Sequence, residues 1–111
     1  MQAKATAKYV RVSPLKAKRV ADLIRGKNLT DALAILKLNG NKPSRAFEKV
    51  VKSAAANAQN NHEMDVQKLY VAEVNANRGP ILKRMKAGSH GRGFIIKKRS
   101  AHLSVVLMER Q

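Results

Sequence analysis

Three histidines, His62, His90 and His102, are the side chains of this 111-residue sequence best suited to acid–base chemistry or metal binding near neutral pH. Either use needs partners, and the partners are missing. The sequence has no cysteine, which excludes disulfides, thiolate nucleophiles and Cys-based metal sites. His90 and His102 fall within residues 74–108, where no aspartate or glutamate is present to orient an imidazole. Nucleophile, base and orienting group do not come together, so neither an enzymatic role nor a metal or other cofactor is expected. Contact with RNA, or stacking on a base, is the use expected of His90 and His102.

The same 35 residues do hold eight cations: Arg78, Lys83, Arg84, Lys86, Arg92, Lys97, Lys98 and Arg99, interleaved with Gly79, Pro80, Gly88, Gly91 and Gly93. A ribbon of one sign repels itself unless a polyanion neutralises it. The glycines are not a phosphate-cradling loop of the nucleotide-binding kind, because no helical pattern follows to offer its N-terminal amides. They suit a turn and close approach to RNA.

Charge is uneven along the whole chain, whose formal net value is +16. Residues 1–28 carry eight basic and one acidic side chain, residues 29–73 carry six and five, and residues 74–108 carry eight and none. Solvated surfaces mix signs, so the two basic ends point to phosphates rather than to water. Arg11, Lys16, Lys18, Arg19, Arg25 and Lys27 become phosphate contacts on this reasoning, with arginine favoured where a planar fork can grip two oxygens. No run approaches the eighteen or so apolar residues of a membrane span, and no apolar segment follows the N-terminus, so a soluble intracellular protein is expected.

The elements that must carry these groups can be placed by periodicity. Residues 3–12 alternate, with Ala3, Ala5, Ala7 and Tyr9 on one face and Lys4, Thr6 and Lys8 on the other, which predicts a half-buried strand. Ser13-Pro14 supplies a capping hydroxyl and an N1 proline for a helix over residues 14–25, closed by Gly26. Its Ala17, Val20, Ala21 and Ile24 form the packing side. A second helix starts at Thr30-Asp31, carries Leu33, Ile35, Leu36 and Leu38, and ends at Asn39-Gly40-Asn41. A third begins at Pro43, with Phe47, Val50, Val51, Ala54 and Ala58 inward and Asn60-Asn61-His62 as its stop. Tyr9 and Phe47 are assigned to the core, and Asn57, Asn60 and Asn61 to the C-terminal cap.

Leu69 to Val74 is apolar on both faces and is predicted to be a central strand, paired antiparallel with the alternating run Ala101, Leu103, Val105, Leu107. The two dozen residues between them are too long for a tight turn and too cationic for a core, so a hairpin projecting some 30 Å is predicted, with its tip near Ala87-Gly88-Ser89. The division is one domain over residues 1–111: a globular body of 1–77 plus 99–111, and an extended basic hairpin at about 78–98. Ile81, Leu82, Met85, Phe94, Ile95 and Ile96 would make such an arm sticky unless a foreign wall covered it.

Taken together, Arg11-Val12-Ser13-Pro14-Leu15-Lys16-Ala17-Lys18-Arg19-Val20-Ala21-Asp22-Leu23-Ile24-Arg25-Gly26-Lys27 closely resembles the opening signature of bacterial large-subunit ribosomal protein twenty-two. Ser53-Ala54-Ala55-Ala56-Asn57-Ala58-Gln59-Asn60-Asn61 is similar to that family's third-helix ending. Gly79-Pro80-Ile81-Leu82-Lys83-Arg84 is similar to the start of its hairpin, and Lys97-Lys98-Arg99-Ser100-Ala101-His102 to its return strand. The resemblance implies an α+β fold of three helices packed on a small three-stranded antiparallel sheet with a long protruding β-hairpin. It implies a structural role in the large ribosomal subunit, monomeric within the ribosome. Partners would be several domains of large-subunit ribosomal RNA, neighbouring ribosomal proteins, and the nascent peptide in the exit tunnel, with links to macrolide sensitivity.

The RNA-binding set expected on that basis is Lys4, Lys8, Arg11, Ser13, Lys16, Lys18, Arg19, Arg25 and Lys27 from the first part of the chain. From the arm it takes Arg78, Lys83, Arg84, Lys86, His90, Arg92, Lys97, Lys98, Arg99, Ser100 and His102. The tunnel tip is expected at Met85, Lys86, Ala87, Gly88, Ser89, His90, Gly91 and Arg92. Here the chain departs from the family, since Lys86-Ala87-Gly88-Ser89 lacks the usual proline and one arginine, which predicts a more flexible and less cationic tip. Arg78 replaces an acidic residue, and Ser100-Ala101 replaces Thr-Ser. A cytoplasmic ribosome is expected, with an organellar one left open. From composition alone the alternative is an architectural DNA-binding protein with a β-ribbon arm, though such arms carry an apolar or proline wedge at the tip and this one has Ala87-Gly88-Ser89.

Overall fold

The computed structural model describes the backbone of residues 2–87 and 93–110, and the side chains of these except at 82, 84–87 and 93–96. The expected tip residues Gly88, Ser89, His90, Gly91 and Arg92 lie outside the described residues, as do the side chains of Arg84, Met85, Lys86 and Ala87. The chain runs β1 (Gln2–Val10), α1 (Pro14–Ile24), α2 (Leu29–Asn39), α3 (Lys42–His62), a 3-10 turn (Val66–Lys68), β2 (Leu69–Arg78), β3 (Leu82–Ala87), β4 (Gly93–Lys98) and β5 (Ala101–Glu109). This is the α+β fold expected, with three helices and a three-stranded antiparallel sheet.

The sheet order is β1-β5-β2, so the central strand is β5 and not β2 as its two-sided apolar pattern suggests. Physically, β2 is an edge whose outer side is covered near its start. There Gly26 N–H donates to the Val71 carbonyl, Val71 N–H donates to the Lys27 carbonyl, and Asn28 bridges to Tyr70. Ala3 and Ala5 of β1, Val71, Val74 and Ala76 of β2, and Ala101, Leu103, Val105 and Leu107 of β5 form the buried face. It meets Ala17, Val20, Ala21 and Ile24 of α1 and Phe47, Val50, Val51, Ala54 and Ala58 of α3 in one core. The alanines let the helices approach the sheet closely, and Phe47 is the largest side chain in the core. The pattern read for α3 is matched at every position.

Two helix ends, the start of α1 and the end of α3, are closed by different groups from those expected. Ser13 makes no side-chain cap bond, and only its carbonyl serves α1, accepting from Ala17 N–H. The capping oxygen is instead at α3, where Asn41 Oδ1 accepts from Ser44 N–H at 2.9 Å. Gly40 takes the left-handed conformation that closes α2, φ 64°. At the far end of α3 the left-handed residue is Glu63, φ 51°, and Asn57 is not a cap: its amide donates to the Lys4 carbonyl on β1 at 3.1 Å.

Tyr9 is not in the core. A register shift between Ala7 and Val10 flips the phase of β1, so Val10 packs against the core and Tyr9 is 64% exposed. At the opposite end of the sheet Arg110 ties the α1–α2 connection down: Nε donates to Asn28 Oδ1 at 2.7 Å, Nη2 to the Gly26 carbonyl at 2.8 Å, and the guanidinium stacks 4.3 Å from the Tyr70 ring centroid.

β3 and β4 form a separate two-stranded antiparallel sheet, from Leu82 opposite Lys98 to Ala87 opposite Gly93. The molecule measures 64 × 25 × 16 Å with a radius of gyration of 16.9 Å. A compact chain of this length has about 13 Å, so the shape is elongated.

Candidate nucleic-acid interface

The connection from β1 into α1 contributes to three hollows, each lined by some of residues 10–16. The first, of about 540 Å³, is lined by Arg11, Ser13, Lys16 and Arg19 from that connection and α1, and by Asn39, Asn41 and Lys42 from the turn between α2 and α3. The second, of about 360 Å³, has an aliphatic floor of Ala7, Val10, Val12, Ala46 and Val50 and a rim of Lys42, Arg45 and Lys49. The third, of about 340 Å³, lies where the hairpin leaves the body, between Pro14 and Leu15 on one side and Arg78, Ile81, Lys97 and Arg99 on the other.

No carboxylate lines any of the three. Arg11, Lys16, Arg19, Lys42, Arg45, Lys49, Arg78, Lys97 and Arg99 are all exposed. The ion pairs of Arg25 with Asp22 and of Lys52 with Glu48 draw on none of them. Cations around hollows that no carboxylate lines, with hydrogen-bonding amides between them, have the chemistry of a phosphate-backbone surface.

The expected residues divide by position. Arg11, Lys16 and Arg19 come together at the first hollow, with half-buried Ser13 among them, and Arg78, Lys97 and Arg99 at the third. Lys4, Lys8, Lys18, Lys27, Lys83 and Lys98 are exposed but line none of the three hollows. Arg25 is engaged within the protein, with Nη1 on Asp22 Oδ1 and Nη2 donating to the Val74 carbonyl at 2.9 Å. His102 Nδ1 accepts from Tyr9 N–H at 3.1 Å, a geometry in which the neutral ring carries its proton on Nε2.

Ser100 is buried, and its hydroxyl donates to the Pro80 carbonyl at 2.8 Å while its own carbonyl accepts from Gly79 N–H at 2.9 Å. These two bonds cross-link the strands where the three-stranded sheet ends and the hairpin begins. Gly79 is needed there, since a Cβ would stand 2.5 Å from Ser100 Oγ.

Lys42, Arg45 and Lys49 line the second hollow, and the charge count misses them. Summed over residues 29–73 they are hidden by five acidic side chains, but their spacing of three and four puts them on one side of α3. A helical-periodicity test of the cations, rather than a window sum, is the signal that finds them. Among the described residues no group of histidine, cysteine, aspartate and glutamate is arranged to hold a metal ion.

The sequence profile of the family described as ribosomal protein L22p/L17e matches residues 5–108. The large ribosomal subunit protein uL22 of Clostridioides difficile strain 630 is 55% identical over 111 residues, covering all of both chains. The proteins of the same name from Clostridium acetobutylicum and Halothermothrix orenii are 53% and 50% identical, covering 99% and 98% of their own lengths.

Proposed function

This chain belongs to the ribosomal protein L22p/L17e family, and from that premise we propose that it binds large-subunit ribosomal RNA through its acid-free face and lines the peptide exit tunnel with its hairpin. It is a structural constituent of the cytoplasmic large ribosomal subunit rather than an enzyme, in keeping with its bacterial relatives. The observation that carries the RNA reading is the meeting of three cation-lined hollows without a carboxylate at the β1–α1 connection. RNA backbone laid across these hollows would touch the body on α1 and α3 and the base of the arm at once, which is how one small protein can hold several RNA domains together.

The hairpin, residues 82–98, continues from the third hollow, so RNA held at Arg78, Lys97 and Arg99 would lead along it. In this reading its tip faces the nascent peptide, its flanks meet RNA and neighbouring ribosomal proteins, and the protein is present as one copy per subunit.

Binding of the full chain to large-subunit RNA is expected to weaken steeply with salt. Each neutralised phosphate contributes about −0.7 to −0.9 to the log–log slope. Replacing Lys42, Arg45 and Lys49 together by alanine is expected to flatten that slope by roughly two units. A slope unchanged in the triple variant would remove these cations from the interface, and binding indifferent to salt would sink the reading altogether. Equal affinity for duplex DNA would favour the architectural alternative.

A further inference from the structure

Two non-glycine residues among those described have positive φ, Glu63 at 51° and Tyr9 at 59°. Glu63 closes α3, which accounts for its conformation. Tyr9 closes nothing. Left-handed backbone is strained for a bulky residue, and asparagine or glycine would adopt it more easily while suiting an exposed position better.

The strain nevertheless holds one large aromatic ring out of the core. Had β1 continued without its register shift, residue 9 would share the face of Ala3, Ala5 and Ala7 beneath the helices. Instead Tyr9 is 64% exposed. Its backbone N–H is held by His102 Nδ1, and the His102 ring meets the tyrosine ring edge to face, with centroids 4.9 Å apart and planes at 89°. Lys8 and Arg11, both exposed, flank it along the chain, and Arg11 lines the first of the three hollows.

A rigid exposed aromatic between cations suits an unpaired base whose neighbouring phosphates need neutralising. Bases in duplex nucleic acid are already stacked and offer no free face. Resting on the ribosomal RNA reading, we propose that Tyr9 is a stacking platform for one unpaired base of that RNA, braced by His102, with Lys8 and Arg11 on the flanking phosphates.

Ultraviolet irradiation of large subunits carrying the full chain is expected to couple an RNA base to the peptide that bears Tyr9. Coupling of that peptide to another protein, or of RNA only to other peptides, overturns the proposal. In solution, Tyr9→Phe and Tyr9→Trp are expected to keep the affinity for large-subunit RNA. Tyr9→Asn, which tolerates the left-handed backbone, is expected to weaken it roughly 5- to 150-fold while leaving the salt slope unchanged, because a stacked base and no phosphate contact is lost. Tyr9→Asn binding as tightly as the parent, or a flattened slope with it, overturns the platform. Salt-indifferent binding by the parent chain instead overturns the RNA reading on which the platform rests.

Discussion

A methyl group at position 79 would stand 2.5 Å from Ser100 Oγ and 3.3 Å from the Ser100 carbonyl carbon. Gly79→Ala therefore forces Ser100 to move and breaks the hydroxyl bond to Pro80, and an over-packed site of this kind is expected to cost about 1–3 kcal/mol. Ser100→Ala removes the same hydrogen bond and is expected to cost about 0.5–1.5 kcal/mol. The atom that crowds the new methyl is also the atom that Ser100→Ala removes. The double variant is accordingly expected to cost less than the sum of the two singles in urea unfolding, and strict additivity would show that the two residues do not act as one clasp. Ser100 thus belongs to the arm's attachment, and the contact with RNA expected of it would have to be made with its hydroxyl already engaged.

At the scale of elements, the arm and the body are expected to be separable, since among the described residues the core cluster contains none between Ala76 and Ala101. Removing residues 82–93 is expected to leave the helical circular dichroism signal and cooperative unfolding of the body in place. Loss of the folded spectrum would overturn the division into body and arm. Helix α3 was legible in the sequence because its apolar period is regular and Phe47, Val50, Val51, Ala54 and Ala58 have no competing role. The sheet was legible in its pairing of β2 with β5 but not in its order, because β2 is covered at its outer edge by backbone of residues 26–28, and backbone partners leave no mark in a hydropathy pattern. Tyr9 was misread for a related reason: alternation holds only within one register, and a bulge that reverses it is invisible until the strand has a partner. The cationic face was legible at its two ends and missed on α3, where charge had to be read by helix side and not by segment.

At the scale of the molecule, a net charge of +16 on so small a chain sets the stability of the free protein against its own field. Among the described residues the ion pairs of Arg25 with Asp22 and of Lys52 with Glu48 offset only a small part of that charge, so screening should stand in for an anionic partner. The midpoint of thermal unfolding is expected to rise as salt increases from low values towards about 0.15 M, where the Debye length falls to about 8 Å. A midpoint that is flat or falls over that range would mean the cations are already compensated within the fold. The order of the sheet has a separate effect on the chain's own birth. β1 and β2 never touch each other as ladder partners, and each waits for β5, so the first strand made stays unmatched while some ninety residues are added. Helices can form as they emerge, but the nascent body cannot close until residues 101–109 are out, which leaves the open edge to be guarded until then.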